Sequence, residues 1–189
     1  MRKVILQQFV TIDGFAADTD GGMRFQQDYV SKNDKSFQED ALRFLDTVDT
    51  MVLGANTYNM FAQYWPGATG EEGEFAQKLN SLSKVVASST LKSAPWGEWE
   101  AAEITDNPSE RLAQLRQQKG KDIVIWGSLA LTHSLMKEGW IDEYQLRVCP
   151  AATGSGKPLF PRGSDLYNLK LLETKSYDKG MVLLRYEPE

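Results

Sequence analysis

The sequence predicts one α/β domain built on a mixed sheet, mostly parallel, with an antiparallel C-terminal hairpin and helices on both faces. Three observations carry this. From Val4 to Gly139, short apolar runs alternate with segments of helical periodicity, the pattern of parallel strands joined by crossover helices. Beyond Gly139, strand-like alternation follows strand-like alternation, as in antiparallel pairs. The 189 residues, 41% of them hydrophobic, suffice for one sizeable core, so residues 1–189 are read as a single domain.

The elements follow in order. Val4 to Val10 reads as a buried strand, broken by the turn chemistry of Thr11, Ile12, Asp13 and Gly14. Ser36 and Glu39 have capping-box spacing ahead of Phe37, Ala41, Leu42, Leu45 and Val48, which recur at helical intervals. Met51 to Leu53 is a short strand ending at Gly54, where Asn56 or Thr57 caps a helix that runs through Tyr58 and Phe61 until Pro66 and Gly67 stop it. A weaker helical segment around Phe75 and Leu79 leads to the strand Lys84 to Ala87, followed by Ser88, Ser89 and Thr90. A short run lies between Trp99 and Ile104. Asn107, Pro108 and Glu110 then supply an N-cap, a first-turn proline and a capping-box acid for a helix closed by Gly120. Ile123 to Trp126 forms another buried strand, and Gly127 and Ser128 lead into a helix with Leu131, Leu135 and Met136 inward, ending at Gly139. In the tail, Tyr144, Leu146 and Val148 alternate, as do Val182, Leu184 and Tyr186, and Asp178, Lys179 and Gly180 turn a hairpin.

Composition removes several function classes. The net charge is −5, with 21 basic residues scattered among 26 acids, so there is no concentrated positive face for nucleic acid. No run approaches the roughly 18 apolar residues of a membrane span, and the N-terminus lacks a signal-peptide layout, so a cytoplasmic protein is expected. A single cysteine, Cys149, and a single histidine, His133, leave no metal-ligand pair and no Ser-His-Asp arrangement. Cys149 reads as a small core residue and His133 as a solvated surface residue. Gly154-Ser155-Gly156-Lys157 lacks the spacing of a phosphate loop and reads as a turn between antiparallel strands.

Three segments repeat one device: a buried strand delivers the chain to exposed amides or hydroxyls. They are Gly54 to Thr57, Ser88 to Thr90, and Gly127 to Ala130. At the first and third a helix starts at once, and its unpaired amides and dipole favour a phosphate. Small residues at Gly127 and Ser128 let a pyrophosphate approach the main chain. Trp126 is placed to meet a planar ring. Asp13, at the mouth of the first strand, is the candidate for orienting substrate or relaying a proton, with Asp28, Asp40 and Tyr58 behind it.

The pieces Thr11-Ile12-Asp13-Gly14, Leu53-Gly54-Ala55-Asn56-Thr57-Tyr58, Val86-Ala87-Ser88-Ser89, Ile125-Trp126-Gly127-Ser128, Gly139-Trp140-Ile141-Asp142-Glu143, and Pro150 with Gly154-Ser155-Gly156-Lys157-Pro158-Leu159-Phe160 occur in one order along nearly the whole chain. That ordered set resembles the dihydrofolate reductase-like superfamily, and within it the riboflavin biosynthesis reductase C-terminal domains, particularly their small stand-alone bacterial members. The resemblance implies the three-layer dihydrofolate reductase-like fold and a homodimer. It also implies hydride transfer from NADPH to a small planar heterocycle or related carbonyl compound, as in the riboflavin-pathway 5-amino-6-(5-phosphoribosylamino)uracil reductase. It places Thr57 at the pyrophosphate, Ser88 and Ser89 at the adenine ribose, and Gly127, Ser128, Leu129 and Ala130 on the other side of the pyrophosphate. Family members often carry Arg where this chain has Ala55, which leaves NADH beside NADPH, with Lys92 and Arg111 as substitute cations. Dihydrofolate reductases carry a cis Gly-Gly pair at the position of Gly127-Ser128, and their catalytic acid falls near Gln38. Two alternatives stand beside this reading: dihydrofolate reduction proper, and a non-catalytic nucleotide-binding protein of the same fold.

Overall fold

A computed structural model describes residues 1–27, 34–161, 163 and 166–189. Its centre is an eight-stranded sheet whose parallel part consists of β1 (Val4–Thr11), β3 (Val48–Gly54), β4 (Ser83–Ala87), β5 (Glu103–Thr105), β6 (Asp122–Ile125) and β7 (Glu143–Cys149). Strands β9 (Leu169–Ser176) and β10 (Val182–Pro188) complete it as an antiparallel hairpin against β7. The spatial order is β5-β4-β3-β6-β1-β7-β10-β9. A second, two-stranded sheet pairs β2 (Phe15–Ala17) with β8 (Lys157–Pro158).

The central strands bury both faces, which is why their residues form continuous apolar runs. Val4, Leu6, Val52, Val85, Ile123 and Ile125 face the helices α4 (Pro108–Gln117) and α5 (Leu129–Lys137), with Leu112, Leu115, Leu131 and Leu135 between. Ile5, Met51, Leu53, Val86 and Val124 face the opposite layer, formed by α1 (Lys35–Leu45), α2 (Ala55–Tyr64) and α3 (Gly73–Ser81) through Phe44, Leu45, Tyr58 and Leu79. Each fully buried aliphatic side chain contributes about 1.5–3 kcal/mol. The three layers and the C-terminal hairpin are those the sequence predicts. No helix among the described residues is long and apolar enough to cross a membrane.

Local boundaries differ in instructive ways. Asp34, not Ser36, caps α1: its buried carboxylate accepts from the Phe37 amide (2.9 Å), the Ser36 hydroxyl (2.8 Å) and the Lys179 amide (3.2 Å). Burial works to raise the Asp34 pKa, but these donors hold it below the usual carboxylate range. The helix ends at Leu45, and Val48 opens β3, which is longer than Met51 to Leu53. No side chain caps α2; its N-cap is Gly54. Asn107 does cap α4, accepting from the Glu110 amide (3.2 Å), but that helix stops at Gln117, before Gly120. In the run from Trp99 to Ile104, only Glu103 and Ile104 join a strand. His133 is half-buried, not a free surface residue; its Nε2 bonds the Leu159 carbonyl (2.9 Å), tying α5 to the segment after β8. Cys149 is fully buried, and burial pushes its thiol up to about 11.

Asp34 yields the first expected result. Asp34→Ala removes an ion-assisted cap that also fastens the β9–β10 turn, and should lower unfolding free energy by about 1–2 kcal/mol in urea denaturation. The carboxyl is depressed in the folded state, so its contribution is full above the unfolded value of roughly 3.9. It is lost as pH falls through the lower folded value.

Candidate functional site

The carboxyl ends of β4, β3, β6 and β1 lie side by side in that order. They therefore present Ser88–Thr90, Gly54–Thr57, Gly127–Ala130 and Thr11–Gly14 along one edge. With strands about 4.8 Å apart, this edge extends roughly 14 Å, and it is the position where open α/β sheets take ligands.

Its centre is tightly knit. The Gly54 amide donates to the Gly127 carbonyl at 2.9 Å, linking β3 to the segment after β6. A Cβ at Gly54 would lie 2.3 Å from Ser128 Oγ and 2.9 Å from the Ser128 amide nitrogen, so only glycine fits there. Gly127 has φ +95°, and a Cβ on it would lie 3.1 Å from Thr57 Oγ1. The Gly127–Ser128 peptide is cis. Helices α2 and α5 thus begin side by side, with N-caps Gly54 and Ser128 that make no side-chain cap bond. Their first-turn amides lack intrahelical partners and converge with the Thr57 and Ser128 side chains. Two adjacent helix N-termini with a glycine floor make a fitting cradle for a pyrophosphate.

The flanks differ. Ser88 Oγ accepts from the amides of Thr90 (3.2 Å) and Leu91 (3.1 Å), which fixes the turn and leaves Ser89 and Thr90 exposed beside the Gly54 cradle. Of the two substitute cations, Arg111 is bound to both oxygens of Glu103 (2.7 and 2.9 Å). Lys92 is exposed and makes no ion pair among the described residues. Trp126 is half-buried on the α1–α2 side, its ring against Phe44 and Phe61 with centroids at 6.4 and 6.0 Å, and its indole N–H donates to Gln7 (3.0 Å). Leu129 is half-buried and Ala130 exposed at the start of α5, while Asn56 is exposed at the start of α2.

Asp13, two residues past the end of β1, is an exposed clasp. Its carboxylate accepts from the amides of Thr153 (3.2 Å) and Gly154 (2.8 Å). The Thr11 hydroxyl and those amides hold it below the usual range, so it is ionised at neutral pH. Asp40 accepts from Lys175 Nζ (2.7 Å) and Tyr177 Oη (2.6 Å); burial opposes ionisation, but these partners hold its pKa low as well. Tyr58 donates to the Pro95 carbonyl (2.7 Å) and packs in the core. Glu39 is exposed, a helical step away from its neighbours' buried face. Asp28 lies outside the described residues.

The sequence reading missed a buried polar line across β1 and β7. Trp126 donates to Gln7, Gln7 to Gln145 (3.0 Å) and Gln145 to Glu143 (2.8 Å), and Arg185 closes the line on Glu143 (2.8 Å). Farther along the same face of β7, Arg147 lies against Phe9 and Phe37. The signal was present: Glu143, Gln145 and Arg147 alternate through a strand paired on both sides.

The chain matches the RibD C-terminal domain over residues 2–183. It is similar to the uncharacterized protein YyaP of Bacillus subtilis, 30% identical over 98% of this chain and 94% of that protein. Among solved structures it resembles a putative riboflavin biosynthesis protein from Shewanella sp. PV-4 (TM-score 0.75, 21% identity, 99% of each chain). It also resembles a diaminohydroxyphosphoribosylaminopyrimidine deaminase/5-amino-6-(5-phosphoribosylamino)uracil reductase from Thermotoga maritima (TM-score 0.67, 13% identity, 100% of this chain and 57% of that one). The three-layer fold, the order of motifs along the strand ends and the family match agree: the chain belongs to the RibD C-terminal domain family.

Proposed function

We propose that this protein is an NAD(P)H-dependent reductase of a small planar heterocycle or related carbonyl compound, resembling the riboflavin-pathway uracil reductase. The observation that carries the reading is the pair of uncapped helix N-termini meeting at Gly54 and Gly127-Ser128. The amides and hydroxyls of Asn56, Thr57, Ser128, Leu129 and Ala130 would hold the pyrophosphate, with Ser88, Ser89 and Thr90 at the adenine ribose. Trp126 would border the reacting ring. The nicotinamide supplies the hydride when bound. The protein's own work is alignment and exclusion of water, which asks for rigidity at the strand ends.

Asp13 and Asp40 are both held ionised at neutral pH, so neither stores a proton there. This favours a substrate whose reduction needs no carboxylic acid donor, and disfavours dihydrofolate, for which Gln38 stands where the acid would be. With Arg111 committed to Glu103, Lys92 alone remains for a ribose phosphate, and the preference for NADPH over NADH is expected to be about tenfold or less. A cytoplasmic setting fits a buried free thiol. A second copy of this chain is the expected partner: β9 is the sheet's edge strand and is exposed on both sides, Leu171 and Leu172 included. Light scattering at the dimer mass is the expected result.

Titration with NADPH and NADH, followed by tryptophan fluorescence, tests the reading. Saturable quenching by at least one of them is expected. No change with either at millimolar concentration would sink it. Binding without oxidation across pterins, pyrimidines, flavins and quinones would instead support the non-catalytic alternative.

A further inference from the structure

Arg147 is 5% exposed on β7, paired with Phe9 of β1 on one side and Leu183 of β10 on the other. Its guanidinium carbon lies 4.7 Å from the centroid of Phe37 and 5.4 Å from that of Phe9. Its Nε is enclosed without a partner, and among the described residues the side chain makes no hydrogen bond and no ion pair. That is an unusual way to keep an arginine. Burying a charge is costly unless donors and charge are both matched, and stacking on two rings satisfies the faces of the guanidinium but none of its edge N–H groups.

Among the described residues, the surroundings do not supply the missing partner. The oxygens of Asp40 are held, among these residues, by Lys175 and Tyr177, with Arg43 3.9 Å from the same oxygen that Lys175 takes. Arg43 is balanced by Glu39, also at 3.9 Å. Farther down β7, Glu143 is taken by Arg185 and Lys3. Burial keeps the Cys149 thiol and the Tyr177 hydroxyl neutral, so neither adds a negative charge. Among the described residues, Arg147 and Lys175 against Asp40 leave one net positive charge beside the Phe37 ring of α1. Arg147 is also two strand positions from Gly127 across the sheet, roughly 10 Å at about 4.8 Å per strand. It therefore borders the place where a ring beside the Gly127 cradle would extend.

We infer that Arg147 is an anchor for a singly charged oxygen group, a carboxylate or an equivalent monoanion, on the protein's small-molecule ligand, with Phe9 and Phe37 packing the adjoining ring. The planar fork of a guanidinium matches such a group with two parallel hydrogen bonds. One net positive charge suits a monoanion better than a phosphate dianion. Calling that ligand the substrate rests on the reductase reading; the anion site itself does not.

The test is cofactor-free, so its failure is separate from failure of the nicotinamide titration. Benzoate, benzamide and phenyl phosphate are titrated into the protein while the side-chain Nε–H resonance of Arg147, assigned by its loss in Arg147→Lys, is followed by NMR. Benzoate should shift that resonance with a Kd in roughly the millimolar range, and benzamide should not. Arg147→Met should weaken benzoate about tenfold or more. Because it removes an unpaired buried charge, it should also melt at or above the wild-type temperature without ligand. An unmoved resonance at saturating benzoate, equal binding of benzamide, or tighter binding of phenyl phosphate would each overturn the assignment. If Arg147→Met does not fold, the wild-type titrations decide alone.

Discussion

Gly54→Ala is expected to disable the cradle while leaving the chain folded. The backbone at Gly54 (φ −77°, ψ 159°) is one that alanine adopts freely, so the effect is steric alone. The added methyl would meet Ser128 Oγ at 2.3 Å and the Ser128 amide nitrogen at 2.9 Å. The hydroxyl can rotate away; the amide belongs to the first turn of α5 and can retreat only by moving the helix start. Overpacking of this kind costs about 1–3 kcal/mol of stability. A displacement near 1 Å at an aligned site costs roughly 100-fold in turnover. Dinucleotide affinity measured by fluorescence should fall with it. Gly54→Ala with Ser128→Gly removes the Oγ and Cβ contacts, and should recover part of both losses. Equal affinity for Gly54→Ala and wild type would show that the cradle is not where the ligand sits.

Glu143→Ala is expected to give the largest loss of stability. Glu143 is 1% exposed and gathers Arg185, Gln145 and Lys3 at the point where β1, β7 and β10 run together. Removing one member of a buried ion pair costs about 3–5 kcal/mol because the survivor stays buried. Here the cost is smaller, about 2–3 kcal/mol, since the surviving Arg185 and Lys3 are 34% and 49% exposed and Arg185 keeps Glu173 at 2.6 Å. Burial works against ionisation of Glu143, yet Arg185 and Gln145 hold its pKa below the ordinary value. Its contribution is therefore full above roughly pH 4.3 and disappears as pH falls through the lower folded value. Urea denaturation of both proteins should show a gap at pH 7 that closes toward pH 3. A gap that persists undiminished at pH 3 would mean the loss comes from packing, not from charge.

The sheet's centre was legible because parallel strands buried on both faces leave uninterrupted apolar runs, and Gly54, Gly127 and the Ser88 turn punctuate them at the right end. The Asp34 cap was not, because the Ser36–Glu39 spacing fits a capping box equally well; the choice is made by the Lys179 amide, which arrives from the other end of the chain. Strands β2 and β8 are too short to show a period. Only Gly156 hints at them: a Cβ there would lie 2.4 Å from the Ala17 carbonyl, and its φ is +148°. The polar line on β7 went unread for a physical reason. Alternating polar residues on a strand fit a wet face equally well, whereas here Glu143, Gln145 and Arg147 are all buried.

The central claim is that a dinucleotide lies across the ends of β4, β3 and β6, and amide chemical-shift mapping with NADPH tests it directly. The amides of Ala55 to Thr57 and Leu129 to Leu131 should move most, followed by Ser88 to Thr90, with little change around His133's partner Leu159 or along β9. Saturable binding whose shifts fall elsewhere, leaving those two helix starts unmoved, would contradict it.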